Sequence, residues 1–164
     1  DAIGHESESE DIQLEPLLRR CAQAACAKHK HVDPNVFAFD IPPVVIHARP
    51  IVLEMIFGNL LDNAIKYGAT QPEVRVSVST RRRGRILTQI IDNGEGVAPE
   101  LKKKIFHIFF RSGKELTRQK KGTGLGLYIV RTLVHTLKGR IRVQDRSDRS
   151  GSVFEVELPG RVAA

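Results

Sequence analysis

Long apolar runs are missing from this sequence. Nowhere do about 20 consecutive apolar residues occur, the length a helix needs to cross a bilayer, so the chain is expected to be soluble. Its opening, Asp1 to Asp11, is acidic and lacks the basic-then-apolar order of a secretory leader, which points to a cytoplasmic protein. Cysteine is scarce: Cys21 and Cys26 stand five residues apart in helix-like sequence, a spacing that suits neither a zinc site nor a disulfide scaffold. They read as reduced thiols. No internal repeat is found. Acidic residues, 19 against 26 Lys and Arg, leave a net charge of +7, compatible with nucleic acid, an anionic surface or a polyphosphate ligand. What is present, 164 residues of which 41% are hydrophobic and 27% charged, suits one compact domain.

The polar start, residues 1–11, reads as a linker or frayed end, residues 12–160 as the domain and residues 161–164 as a tail. Leu14, Leu17, Leu18, Cys21, Ala24 and Ala25 recur at steps of three and four, predicting an amphipathic helix from Glu15 to Lys28. Asn35 to Asp40 alternates as a strand does, and Pro42-Pro43 stops it. A second helix spans Pro50 to Tyr67, with proline in its first turn and Gly68 just past its end. Val74 to Thr80 and Ile86 to Asp92 alternate strongly around the basic turn Arg81 to Arg85 and predict a hairpin. That cluster reads as a solvated hairpin tip rather than a nucleic-acid patch. Pro99 to Phe106 suits a short helix, and Arg111 to Lys121 a mobile loop. A third helix, Leu125 to Lys138, ends at Gly139 as a left-handed cap, before strands Arg140 to Asp145 and Val153 to Leu158. Helices interleaved with hairpins predict an α+β fold, a two-layer sandwich of a mixed, mostly antiparallel sheet with three main helices on one face.

Three segments carry chemistry. In the second helix, Asn59, Asn63, Lys66 and Tyr67 share one face, while Leu53, Ile56, Leu60 and Ala64 turn to the core. An amide oxygen such as that of Asn63 supplies one neutral ligand to Mg²⁺, which takes its others from water and phosphate. At the end of the hairpin, Asp92-Asn93-Gly94-Glu95-Gly96 delivers a carboxylate into a glycine turn. A buried carboxylate there accepts a hydrogen bond from the exocyclic amine of adenine, where guanine offers a second acceptor instead. Gly122-Thr123-Gly124-Leu125-Gly126-Leu127 sets three glycines at alternate positions before the third helix, so that backbone amides and the helix start face an anion. This is neither the dinucleotide fingerprint nor a P-loop, since Gly113-Lys114 is followed by Glu115. Taken singly, a solvated helix face or an ordinary Asp-Asn-Gly turn yields the same residues; their joint order is what distinguishes them.

In that order the segments resemble sensor histidine kinases. Asn59 to Tyr67 is similar to the N box, Asp92 to Gly96 to the first glycine box, Phe106 to Phe110 to the phenylalanine box and Gly122 to Leu127 to the second glycine box. The resemblance runs from about Leu14 to Leu158. It implies the Bergerat ATP-binding fold shared with gyrase, Hsp90 and MutL, with ATP and Mg²⁺ as ligands. By that resemblance Asn63 holds Mg²⁺, Asn59 and Lys66 approach the phosphates, Tyr67 lies by the adenine and Asp92 reads its amine. Gly94, Gly96, Gly122, Thr123, Gly124, Leu125 and Gly126 frame nucleotide and lid, and Arg111 stabilises the transferring phosphoryl group. Lys114, Arg118, Lys120 and Lys121 would screen the triphosphate. His107 departs from the acidic residue often found in the phenylalanine box.

Hydrolytic members of that fold carry a glutamate four residues before the metal-binding asparagine; here the position is Asn59, and an amide takes no proton. The expectation is therefore transfer of the γ-phosphate to a histidine on a separate dimerisation domain, with a response regulator downstream. His5-Glu6 lacks the Leu-Arg-Thr-Pro continuation of an acceptor motif, and His29, His31, His47, His107 and His135 show no ligand spacing. Two other readings share the ATP site: a non-catalytic nucleotide-binding regulatory module and an anti-sigma-type serine kinase. No nucleic-acid partner and no membrane segment are expected.

Overall fold

The structure, a computed structural model, describes residues 8–30, 32–108, 110 and 125–163. The predicted amphipathic stretches are helices α1 (Leu14–Lys28), α2 (Pro50–Lys66) and α3 (Gly126–Thr136). Around them run strands β1 (Glu10–Gln13), β2 (Phe37–Asp40), β3 (Val44–Ala48), β4 (Val74–Arg81), β5 (Arg85–Ile91), β6 (Arg140–Asp145), β7 (Ser152–Pro159) and β8 (Arg161–Val162). Pro99 to Phe106, expected as one short helix, is two single 3₁₀ turns, Pro99–Leu101 and Lys104–Phe106.

Strands order β2-β4-β5-β7-β6 in a five-stranded sheet. Only the β2–β4 pair is parallel, so the sheet is mixed and mostly antiparallel as expected. Alternation sorts its two faces. Val74, Val76 and Val78 of β4, Ile86 and Ile90 of β5, and Val156 and Leu158 of β7 are buried in one core with Leu53, Ile56, Leu60 and Ala64 of α2 and with Val130 and Val134 of α3. In α1 the buried alanines are Ala22 and Ala25 rather than Ala24 and Ala25, because Leu18, Ala22 and Ala25 continue one stripe at steps of four and three.

The opposite face is polar, yet one carboxylate on it is buried. Glu155, 5% exposed, lies across from Gln89 and Arg142 in register. It accepts from Gln89 Nε2 at 2.8 Å, from Arg142 Nε at 2.7 Å and from Gln144 Nε2, so its charge is shared among three donors.

A second, three-stranded sheet, ordered β1-β3-β8, goes beyond the expected architecture. Arg161 and Val162, expected as a tail, pair with Val45 and Val44, and Glu10 pairs with Ala48. β3 follows Pro42-Pro43 and precedes Pro50; four of its five residues are buried, so it lacks the alternation that marks a half-exposed strand. The end of α3 also differs from expectation. The left-handed residue is Lys138, at φ 61°, not Gly139. Gly139 is required by close approach instead, since a Cβ there would stand 2.4 Å from the Glu157 carbonyl oxygen.

Candidate functional site

The central strand β5, flanked by β4 and β7, delivers Asp92 to one end of the sheet. The Asp92 amide donates to the Ser152 carbonyl at 3.0 Å, extending the ladder one residue beyond the strand. The residue is 5% exposed. Both hydrogen bonds its carboxylate receives converge on Oδ1, from the Gly94 amide at 2.9 Å and the Ser152 amide at 3.2 Å. Among the described residues none donates to Oδ2, which leaves a buried carboxyl oxygen with its acceptor capacity unused. Burial pushes the Asp92 carboxyl above the usual aspartate range, against the opposing pull of the Gly94 and Ser152 amides and of the Arg146 guanidinium.

The turn after Asp92 is locked to the end of α2. A Cβ on Gly94 would fall 2.2 Å from the Tyr67 carbonyl oxygen, so only glycine lets the two backbones meet. Asn93 fastens the segment that follows the helix: its Oδ1 accepts from the amides of Ala69 at 3.2 Å and Glu73 at 3.1 Å, and its Nδ2 donates to the Gln71 carbonyl at 3.0 Å. Gly96, at φ 84°, turns the chain away in a conformation that glycine adopts without strain.

Along α2, the polar face stands beside this turn. Asn59, Asn63 and Lys66 are half-buried, Tyr67 is exposed, and Lys66 Nζ lies 5.1 Å from the centre of the Tyr67 ring. Asn59 Nδ2 donates to the Met55 carbonyl at 2.7 Å, which orients its Oδ1 toward the start of α3. A Cβ on Gly126 would stand 3.3 Å from that oxygen. Leu125 occupies the N-cap position and Gly126 the first turn, where helical amides have no intrahelical acceptor. The structure thus brings Tyr67, just past the end of α2, against Gly94, and Asn59 of α2 against Gly126, with Asn63 and Lys66 between them along the same helix. Arg111, Gly122, Thr123 and Gly124 lie outside the described residues, as does the loop Arg111 to Lys121.

Residues 48–162 match the family of histidine kinase-, DNA gyrase B- and HSP90-like ATPases. The chain belongs to that family. Within it, the relatives are sensor kinases. This ATPase domain is 40% identical over 108 residues to the sensor protein CiaH of Streptococcus pneumoniae; the match covers 66% of the chain and 24% of CiaH, so the chain spans about a quarter of that relative's length. In fold it superimposes on the mycobacterial sensor histidine kinase MprB with a TM-score of 0.82 at 26% identity, covering 94% of this chain and 99% of the other. Full-length ShkA, solved in complex with AMPPNP, gives a TM-score of 0.76 at 28% identity over 95% of this chain and 32% of ShkA. The chain is a histidine kinase-type ATPase domain of the kind found in sensor kinases, as the boxes implied.

Sequence reasoning missed the other half of the Asp92 environment. Arg146, Ser150, Gly151 and Ser152, in and after the β6–β7 connection, all contact the turn: Arg146 Nη1 donates to the Asp92 carbonyl at 3.0 Å and Ser150 Oγ to the Gly94 carbonyl at 2.7 Å. A Cβ on Gly151 would fall 2.0 Å from the Asp92 carbonyl oxygen. The signal available was Ser150-Gly151-Ser152, which any hairpin connection contains. Histidines are accounted for differently: His29 Nε2 pairs with Asp62 at 2.7 Å and His47 Nδ1 with Asp11 at 2.9 Å. Among the described residues no group of three or more His, Cys, Asp or Glu could hold a metal.

Proposed function

We propose that this domain binds Mg²⁺-ATP between α2, the Asp92–Gly96 turn and the start of α3, and transfers the γ-phosphate to a histidine on a separate dimerisation domain. The observation that carries the reading is Oδ2 of buried Asp92, which accepts from none of the described residues. With Oδ1 occupied by two amides, Oδ2 is the oxygen left to accept from an amine, and adenine offers one on its exposed edge. The binding of AMPPNP by ShkA supports the same ligand.

Asn63, on the half-buried polar face of α2, would present its amide oxygen to Mg²⁺, whose charge would offset that of the triphosphate. Asn59 and Lys66 flank it toward the phosphates, Tyr67 lies by the base, and Gly94, Gly96, Gly122, Thr123, Gly124, Leu125 and Gly126 admit the nucleotide to backbone amides. Arg111 would neutralise charge on the moving phosphoryl group. In the transfer the γ-phosphorus bond to the ADP oxygen breaks as a bond to an imidazole nitrogen forms. Position 59 has no carboxylate to deprotonate water, which favours transfer over hydrolysis. A response regulator would then take the phosphoryl group from the histidine.

The test supplies γ-labelled ATP, Mg²⁺ and a sensor-kinase dimerisation domain carrying its acceptor histidine. Expected are an acid-labile label on that domain and its loss in Asn63→Ala. An acid-stable label on serine would favour a serine kinase, and nucleotide binding without any transfer would favour a non-catalytic regulatory module.

A further inference from the structure

The β6–β7 connection places a fixed positive charge behind Asp92. The Arg146 side chain, 12% exposed, donates from Nη1 to the Asp92 carbonyl at 3.0 Å. Its two other nitrogens both donate to one carboxylate, Nε to Asp148 Oδ1 and Nη2 to Asp148 Oδ2, each at 3.0 Å. This bidentate fork fixes the guanidinium plane. The stem passes beneath Gly151, where an added Cβ would come within 2.7 Å of Arg146 Cδ, so the glycine makes room for the arginine as well as for the Asp92 peptide. Ser150 and Ser152 complete a brace that reaches Gly94 and Asp92 from the same connection.

We propose that Arg146, held by Asp148, is a positioning residue for base selection: it fixes the Asp92 peptide from behind and so aims the buried carboxylate at the adenine amine. The inference rests on the reading of Asp92 as the base-reading group. Other charged side chains line this end of the sheet: Glu95 from the turn itself, Asp145 at the end of β6, which pairs with Lys102 at 3.0 Å, and Arg149, which pairs with Glu73 at 2.6 Å. The Arg146 guanidinium favours the charged form of the Asp92 carboxyl and so opposes the effect of burial. A lysine at 146 would retain the charge and one donor but lose the fork with Asp148.

The experiment compares binding of ATP and ITP, which replaces the exocyclic amine by a carbonyl oxygen, to the chain as it stands and to Arg146→Gln, Arg146→Lys, Asp148→Asn and Asp92→Asn, between pH 5 and 8. Expected for Arg146→Gln is a loss of ATP preference over ITP of about tenfold, the size of one charge-assisted hydrogen bond. The pH below which ATP binding falls should move upward in that variant, and Arg146→Lys should restore part of both. Asp148→Asn, which leaves the arginine in place but frees it, should shift both readouts in the same direction by less, and it carries the test if Arg146→Gln fails to fold. Equal losses for ATP and ITP with an unmoved pH profile would mean that Arg146 only supports the fold, and would overturn the proposal. If Asp92→Asn itself leaves the ATP preference intact, the reading of Asp92 fails, and the proposal with it; if Asp92→Asn removes the preference while the Arg146 and Asp148 variants keep it, only the role of Arg146 fails.

Discussion

Replacing Asp92 by Asn changes one atom of charge and almost no volume, so its effect reports on hydrogen-bond polarity. In the native site Oδ1 accepts from the Gly94 and Ser152 amides, and Oδ2 accepts from none of the described residues. An asparagine has one acceptor oxygen and one donor nitrogen. If its oxygen stays with the two amides, its NH₂ faces the adenine amine, donor against donor; if it flips, the NH₂ faces the two backbone amides instead. Either arrangement leaves a buried donor unpaired, at a cost of about 1 to 3 kcal/mol. At about 1.4 kcal/mol per tenfold this is roughly 5- to 150-fold in the Kd for ATP. The first arrangement suits a carbonyl oxygen on the base, so ITP should bind Asp92→Asn as well as or better than ATP. Calorimetric titration of both nucleotides against both proteins measures the crossing. Undiminished ATP affinity in Asp92→Asn would refute the assignment. The pH dependence gives a second check. Burial raises the native Asp92 above its usual 3.8, so the native state holds this proton more tightly than the unfolded chain does, and the stability the group contributes, full below the unfolded value, is lost as pH rises through the raised one. Nucleotide binding runs the other way, since an amine needs the anion as acceptor. ATP affinity should fall as pH drops through that raised value, and Asp92→Asn should lack this dependence.

Other outcomes follow from packing and ionisation. Gly94→Ala would force a Cβ to 2.2 Å from the Tyr67 carbonyl oxygen, whereas a Cβ on Gly58, within α2, meets nothing within 4 Å. Urea unfolding should show Gly94→Ala destabilised by about 3 kcal/mol, with ATP binding impaired, and Gly58→Ala stabilised by roughly 0.5 to 1 kcal/mol, with binding unchanged. Leu60 is 1% exposed on the core face of the helix that carries Asn59 and Asn63, so Leu60→Ala should cost about 2 to 5 kcal/mol in the same assay. Cys21 is buried in α1 and its thiol is pushed up to about 11, so at pH 8 a thiol reagent should label Cys26 first, and label Cys21 at the rate of unfolding. Rapid labelling of native Cys21 would contradict its burial.

How much of this was legible in the chain depends on how far apart the cooperating residues lie. α2 declared both its faces within 17 residues, because helical periodicity is a local property. Asp92, Gly94 and Gly96 were legible for the same reason: a strand delivering a carboxylate into glycines is contiguous. The glycine order before α3 was readable as an anion cradle, and the boxes together indicated the family. The strand pairs β4–β5 and β6–β7 were marked by alternation, since each has one wet face.

Tertiary structure decided the rest. β1, β3 and β8 are short, and β3 is buried at four of its five residues, so no alternation exposed them; they are strands only because residues 10–13 and 161–162 come together on either side of β3. Gly139 proved to serve a close approach to β7 rather than a left-handed cap, a distinction that depends on where Glu157 lies. Arg146 and Asp92 are 54 residues apart in sequence, and nothing local distinguishes that arginine from the 25 other Lys and Arg residues of the chain. What the sequence by itself determined is which residue types meet a nucleotide and on which local elements they sit, because periodicity and turn chemistry act over a few residues. What only the tertiary structure decided is the state of the buried carboxylate: one oxygen filled, the other accepting from none of the described residues, and a cation held behind it, because those partners come from a strand connection that sequence order sets far from Asp92 and the sheet brings alongside.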